Sequence, residues 1–279
     1  LNGAEMSKEI LGKISFDILD IKNKGCRVPR LDVILVGDDY GSVKYVGMKE
    51  KVAKEIGLQV QVHQLDKAVD TLEIVNLVDS LNKDSNVDGL MIQLPLPEHI
   101  DKHLVLESID PEKDGLTPTN LGRLFQKNPS AIAPATPLGI MKLLEAYNIK
   151  IFGKRVVILG SSTIVGKPLA ALMLERNATV TLCNSHTVNI EEISRSADIL
   201  VSAVGKALFI NANFLKNECV LIDVGSNKHP ETGKFVGDVN WESVQGIPSF
   251  ITPVPGGVGP MTIACLMLNL MRCYRDDSR

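Results

Sequence analysis

The feature that most limits what this chain can become is residues 151–174, IFGKRVVILGSSTIVGKPLAALML, where strand, turn and helix signals follow without a gap. Residues 155–159 (RVVIL) form an apolar, β-branched run of the kind that suits a parallel strand buried on both faces. Gly160 ends the run, two serines follow, and Gly166 and Pro168 lead into the helix-forming stretch 169–174. Such a turn aims backbone N–H groups and the positive end of a helix at one point, where an anionic group fits. Gly160 and Gly166 stand one residue further apart than in GxGxxG, and Ser162 replaces the middle glycine, so the turn alone leaves a dinucleotide site and a plain strand–helix joint both open. The next strand, expected over 178–183 (ATVTLC), ends in Asn184, Ser185, His186 and Thr187. A carboxylate that would grip the 2′-hydroxyl of NAD is missing there, so a 2′-phosphate is not repelled and NADP is favoured, with NAD still possible. His186 is the nearest cation, and Ser161, Ser185 and Thr187 bring hydroxyl donors.

A chain of 279 residues exceeds the size at which one core usually keeps growing, which makes two domains the expectation. Strands are expected at 30–36, 58–64, 89–93, 155–159, 178–183, 199–203 and 220–224, with helices at 6–24, 42–55, 71–82, 98–109, 138–147 and over the apolar run 261–271. Strands alternating with helices imply parallel pairing and an α/β class. Residues 110–137, rich in Pro, Thr, Gly and Asn, are expected to be loop. A net charge of −3 without a basic run argues against nucleic acid and anionic membranes as partners. The run 261–271 is too short to span a bilayer, and LNGAEMSKEI lacks the apolar core of a signal peptide. Five cysteines without CxxC spacing fit reduced thiols, hence a cytoplasmic setting.

A second constellation lies on the helix expected from residue 42, where Tyr45 and Lys49 share a face at i, i+4. Val52 and Ile56 on that face imply that it points inward, and an inward lysine has its proton affinity lowered, as a general base or tunable proton donor requires. The competing reading is a lysine snorkelling to solvent beside Lys44 and Lys51. Tyr45 is either core packing or a stacking surface for a flat substrate. Gln93 ends a strand in QLPLP, at the sheet edge where ligands gather, and would orient Lys49 or cap the turn. Asp114 precedes Gly115 and fits either turn chemistry or a binding role. His99 and His103 have HxxxH spacing without a third ligand, so no metal site is expected.

YVxxK (45–49), QLPLP (93–97), TPxG (136–139), GxSxIVGxP (160–168), DVGxN (223–227), VGDV (236–239) and TPVPGGVGPMT (252–262) occur in this order. The ordered set closely resembles the bifunctional methylenetetrahydrofolate dehydrogenase/methenyltetrahydrofolate cyclohydrolase family, over nearly the whole chain. The resemblance implies oxidation of 5,10-methylenetetrahydrofolate with NADP, then hydrolysis of the methenyl product to 10-formyltetrahydrofolate. The runners-up are an NAD(P)-dependent dehydrogenase without the hydrolase, and a non-catalytic nucleotide-binding protein of the same fold. By resemblance Lys49 is central to the hydrolysis, Gln93 tunes and positions it, Tyr45 stacks on folate, and Asp114 binds the pterin amino edge. Pro253, Gly256 and Gly257 fall beside the substrate. The cofactor set becomes Gly160, Ser161, Ser162, Ile164, Val165, Gly166, Ser185, His186, Thr187, Val204, Gly205, Asp223 and Gly225.

Two departures stand out. Where the family commonly reads KDVDG, this chain has only Lys113, Asp114 and Gly115, and Ser161 and His186 occupy positions that often carry Arg or another basic residue. The implied architecture is two α/β domains, a folate-binding and catalytic one over 1–138 to which 260–279 return, and an inserted Rossmann-like NAD(P) domain over 139–259. A homodimer is implied as well.

Overall fold

The computed structural model describes residues 1–229 and 231–277, which divide into two units, one holding residues 9–123, 128–132 and the chain from 266, the other residues 1–8, 124–127 and 133–265. Up to residue 125 the elements are α1 (Gly3–Asn23), β1 (Arg30–Val36), α2 (Tyr40–Ile56), β2 (Gln59–Leu65), α3 (Thr71–Lys83), β3 (Gly89–Ile92), α4 (Lys102–Ser108) and α5 (Pro118–Phe125). The three strands pair in parallel in the order β2-β1-β3, with Ile34 opposite both His63 and Ile92. Because β2 and β3 flank β1 on opposite sides, the chain reverses direction across the sheet at the carboxyl ends of β1 and β3, where a parallel sheet leaves a crevice. Gln93 stands there, its N–H donating to the Ile34 carbonyl at 2.9 Å.

Local chemistry sets the helix ends. Asp39 caps α2 by accepting the Ser42 N–H at 2.8 Å, and Gly57 closes it in the left-handed region at φ 86°. Asp70 and Glu73 form a capping box on α3. Ile34, Val36, Ile74, Val78, Leu90, Ile92 and Val105 build the core between this sheet and α3 and α4. Asp101 accepts from the N–H groups of His103 and Leu104, so α4 starts later than the sequence pattern suggests. Within the expected loop, residues 118–125 are helical. Thr117 accepts the Asn120 N–H through Oγ1 at 3.2 Å and Pro118 takes the first helical position, so residues that look like loop formers are here start signals. The buried Asn120 ties this segment down, donating to the carbonyls of Pro111 and Asp114 at 2.5 and 2.8 Å and accepting from Ile132 N–H at 3.1 Å.

From residue 133 the chain forms α6 (Ala135–Ala146), β4 (Arg155–Leu159), α7 (Gly166–Glu175), β5 (Thr179–Cys183), α8 (Ile190–Arg195), β6 (Ile199–Ser202), β7 (Val220–Asp223), the small hairpin β8 (Asn227–Lys228) and β9 (Phe235–Val236), α9 (Trp241–Val244), β10 (Phe250–Ile251) and α10 (Val258–Asp277). Five strands pair in parallel in the order β10-β7-β6-β4-β5. Val156, Ile158, Val201 and Ile222 face a core with α6 and α7, and Val157, Leu159, Leu200 and Leu221 face a second one with Phe214 and Val244. The reversal of strand order falls between β4 and β6. Gly160 has φ 112°, and a Cβ on it would overlap the Ala203 carbonyl, while a Cβ on Gly166 would overlap the Gly160 carbonyl. The turn therefore closes backbone on backbone. Gly166→Ala is expected to destabilise the protein by about 2 kcal/mol, read as a lower denaturation midpoint in urea, because the clash is with main chain that cannot rotate away.

Candidate active site

Helix α2 buries Ser42, Val46, Lys49, Ala53 and Ile56, a stripe at alternating spacings of four and three residues, and Lys49 occupies its centre. The inward reading of this lysine holds, since only 7% of the residue is exposed. Its Nζ donates to Gln93 Oε1 at 2.7 Å and lies 3.7 Å from Met91 Sδ. The Gln93 Nε2 donates to the Leu94 carbonyl at 2.7 Å, which leaves Oε1 facing the lysine. Gln93 is thus bonded both to the lysine and to its own turn. Burial lowers the Lys49 pKa to about 8, with the charge of Asp114 acting the other way. Tyr45, half-buried, stands one turn before Lys49 on the same helix.

Asp114 has the opposite problem. Burial pushes its carboxyl up to about 7, against the Leu116 and Gly115 N–H groups and the Lys49 charge, which favour the anion. Oδ1 accepts from Leu116 N–H at 3.2 Å. Oδ2 is buried and, among the described residues, meets no hydrogen-bond partner. Leaving a buried acceptor unmade costs roughly 1–3 kcal/mol, so this oxygen is suited to a ligand that brings an N–H. The shortened turn keeps a carboxylate in the field of Lys49.

The 160–166 turn presents the start of α7, whose first residues have no side-chain cap; Ser162 Oγ accepts the Val165 N–H at 3.1 Å. An uncapped ten-residue helix at a sheet's switch point suits a pyrophosphate. Gly166 is buried, whereas Ser161, Ile164 and Val165 are half-buried and Ser162 is exposed. At the end of β5, Ser185 and His186 are exposed, and Thr187 Oγ1 accepts the Asn184 N–H at 2.9 Å. This segment holds no carboxylate, so the donor set fits a 2′-phosphate through hydroxyls and a ring N–H.

Asp223 ends β7, but both its oxygens are used internally. Oδ1 accepts from Gly225 and Asp238 N–H groups, each at 2.9 Å, and Oδ2 from Val239 N–H at 3.0 Å. Burial pushes its pKa up to about 6 despite these donors, and the neighbouring Asp238 charge adds to the rise. Val204 and Gly205 follow β6, with Gly205 exposed. In the glycine-rich loop Gly256 has φ 106° and its carbonyl accepts the Ala4 N–H at 2.9 Å, while Gly257 is buried and Pro253 half-buried. Two residues outside the expected set hold Asp223 and the loop after β6 in place. Asp238 is buried under hydrogen bonds, and Thr252 accepts the Asp223 N–H at 2.7 Å through Oγ1. VGDV and TPVPGGVGPMT were the signals that pointed to them, without saying what their side chains hold.

Parallel sheets with reversals of strand order, a glycine turn into an uncapped helix and a buried lysine–glutamine pair define an α/β protein of the dinucleotide-binding fold class. Residues 1–115 match the model of the tetrahydrofolate dehydrogenase/cyclohydrolase catalytic domain, and residues 134–278 that of its NAD(P)-binding domain. The bifunctional protein FolD of Thermodesulfovibrio yellowstonii is 47% identical over 281 residues, covering 100% of this chain and 97% of that protein. The bifunctional dehydrogenase/cyclohydrolase structure from Campylobacter jejuni superposes with a TM-score of 0.95 at 42% identity, covering 99% of this chain and 98% of its own. The Trypanosoma brucei dehydrogenase-cyclohydrolase, solved with NADP and an inhibitor, gives a TM-score of 0.95 at 35% identity over 100% and 98%. The chain belongs to the tetrahydrofolate dehydrogenase/cyclohydrolase family.

The Lys49 shift has a sign. A lysine whose pKa falls from 10.5 to about 8 on folding weakens the fold below pH 8, where both states carry the charge, and the penalty fades as pH rises from 8 towards 10.5. Lys49→Met is accordingly expected to stabilise the protein at pH 7, by roughly 2 kcal/mol, with the gain shrinking by pH 10. Denaturant midpoints at the two pH values check this; a less stable variant at pH 7 would contradict the burial cost assigned to Lys49.

Proposed function

We propose that Lys49, Gln93, Asp114 and Tyr45 carry this family's two activities in this chain: oxidation of 5,10-methylenetetrahydrofolate to the methenyl form with NADP, and hydrolysis of that form to 10-formyltetrahydrofolate. The observation that carries the reading is the buried Lys49 ammonium bonded to Gln93 within the field of Asp114. NADP, when bound, supplies the hydride acceptor. In the first step the methylene carbon is flanked by two nitrogens that take up the positive charge, so the chain's task is orientation and no base is required. Asp114 Oδ2 accepts from the pterin amino edge, and Tyr45 stacks on the ring. In the second step a water attacks the amidinium carbon and gives one proton to Lys49 in its amine form; the neutral carbinolamine then collapses, its hydroxyl proton passing to N5 as the C–N5 bond breaks, which leaves the formyl group on N10 and an N–H at N5. Gln93 Oε1 keeps the lysine nitrogen in place and, because its own Nε2 is held by the Leu94 carbonyl, does not follow the substrate.

The residues for NADP are the 160–166 turn and the start of α7 for the pyrophosphate, with Ser185, His186 and Thr187 for the 2′-phosphate. The NADP complex of the T. brucei relative supports that form of the cofactor. A homodimer in a reducing, cytoplasmic setting is part of the same reading, supported by family membership and by five cysteines of which none is in a disulfide.

The hydrolysis rate is expected to rise with pH through about 8, where Lys49 loses its proton, while the oxidation rate shows no such limb. Lys49→Met is expected to lower hydrolysis of methenyltetrahydrofolate by about 10³-fold or more and to leave NADP binding unchanged. Initial rates with NADP and NAD in parallel, followed by the spectral decay of the methenyl product, measure both. Undiminished hydrolysis in the variant would remove Lys49 from the mechanism.

A further inference from the structure

The family motifs around Asp223 and Asp238 have a physical job that the two reactions leave unexplained. Asp238 is wholly buried and its carboxylate accepts five hydrogen bonds. Oδ2 takes Ser202 Oγ at 3.0 Å, Val204 N–H at 2.8 Å and Gly205 N–H at 3.4 Å; Oδ1 takes Lys206 N–H at 3.1 Å and Asn227 Nδ2 at 2.9 Å. Asp223 fixes it in turn by accepting the Asp238 N–H. A Cβ on Gly225 would overlap Asp238, and one on Gly237 would overlap the Asp223 carboxylate, so DVGxN and VGDV spell two aspartates and the glycines that make room for them.

The loop held in this way, residues 203–206, leaves β6 at the switch point beside the Gly160 turn. Strand order decides which part of a dinucleotide meets it. With the pyrophosphate at the end of β4, the end of β5 on one side takes the adenosine half and the end of β6 on the other takes the nicotinamide half. A phosphate-binding loop turns consecutive N–H groups outward. Here three consecutive N–H groups are turned inward on a carboxylate, and the carbonyls of Val204 and Gly205 accept nothing among the described residues. We infer that Asp238 is a positioning residue that makes the 203–206 loop an acceptor surface for the donor groups of the nicotinamide half, its ribose hydroxyls and carboxamide N–H₂, while the phosphates rest on the 160–166 turn. This rests on the NADP reading above and adds how the two halves of the cofactor are told apart.

Asp238→Asn puts an N–H₂ donor against N–H donors and loosens the loop. In calorimetric titrations of the full chain, the variant is expected to bind NADP about tenfold more weakly, about 1.4 kcal/mol, and adenosine 2′,5′-bisphosphate within about twofold of the unsubstituted protein. In hydrogen exchange without any ligand, the amides of residues 204–206 are expected to exchange faster in the variant. Where Asp238→Asn does not fold, Ser202→Ala and Asn227→Ala each remove one partner of the carboxylate and are expected to weaken NADP about two- to fivefold in the same selective way. Equal weakening of both ligands, or unchanged NADP affinity with faster exchange, overturns the inference. An unsubstituted protein that binds neither ligand overturns the NADP reading itself, which the titration separates from a fault at Asp238.

Discussion

Parallel strands end on the same edge of their sheet, and wherever the strand order reverses beside the first strand, two loops part and leave exposed backbone. Both units of this protein are built on that constraint. In one, β1 is flanked by β2 and β3, and Gln93 stands at the reversal with its main chain bonded to Ile34. In the other, β4 is flanked by β5 and β6, and the Gly160 turn stands beside Ala203. Crossovers through α2 and α7 then bring a helix to each edge, one carrying Lys49 on its buried stripe and the other offering an uncapped N-terminus. The chemistry of each unit is thus sited by strand order before any side chain is chosen.

What the side chains add is charge held where water does not reach. Lys49 and Asp114 each have their ionised form disfavoured by burial, so their pKa values approach one another, about 8 and about 7, from ordinary values far apart. Among the described residues neither has a direct ion-pair partner. Gln93 supplies the lysine with an acceptor that carries no charge, which preserves the downward shift that a carboxylate at the same distance would cancel. The arrangement is costly to stability and brings two titratable groups near neutrality, the pattern that residues of a functional site commonly show. Asp238 shows the other way to bury a charge. Five donors surround it, and the anion becomes a fixed structural centre for the loop after β6.

Much of the fold was legible because its signals are local. The strands Arg30–Val36 and Arg155–Leu159 begin and end where their apolar runs do, and Gly57 closes α2 as expected. Pro118–Phe125 was missed because Thr, Pro and Asn serve equally as loop formers and as helix starters, and only the buried Asn120 contacts decide between the two. The short α8, the β8–β9 hairpin and α9 were missed because so few residues carry no periodicity to detect. Tyr45 and Lys49 could be placed on one helical face from their spacing. That Lys49 lies on the stripe through Val46 and Ala53, with Val52 to one side, needed the helix to be docked.

By itself the sequence determined the α/β alternation, the phosphate-type turn, the lack of a carboxylate after β5, and the family, since each depends on residue types at fixed spacing. Tertiary structure alone decided that Gln93 meets Lys49 across 44 residues of chain, that Asp114 keeps a buried oxygen without a donor among the described residues, and that Asp223 serves the loop at Asp238. The reason is physical. Desolvation and hydrogen-bond satisfaction depend on what surrounds an atom in three dimensions, and no local pattern records which distant backbone will come to rest against a carboxylate.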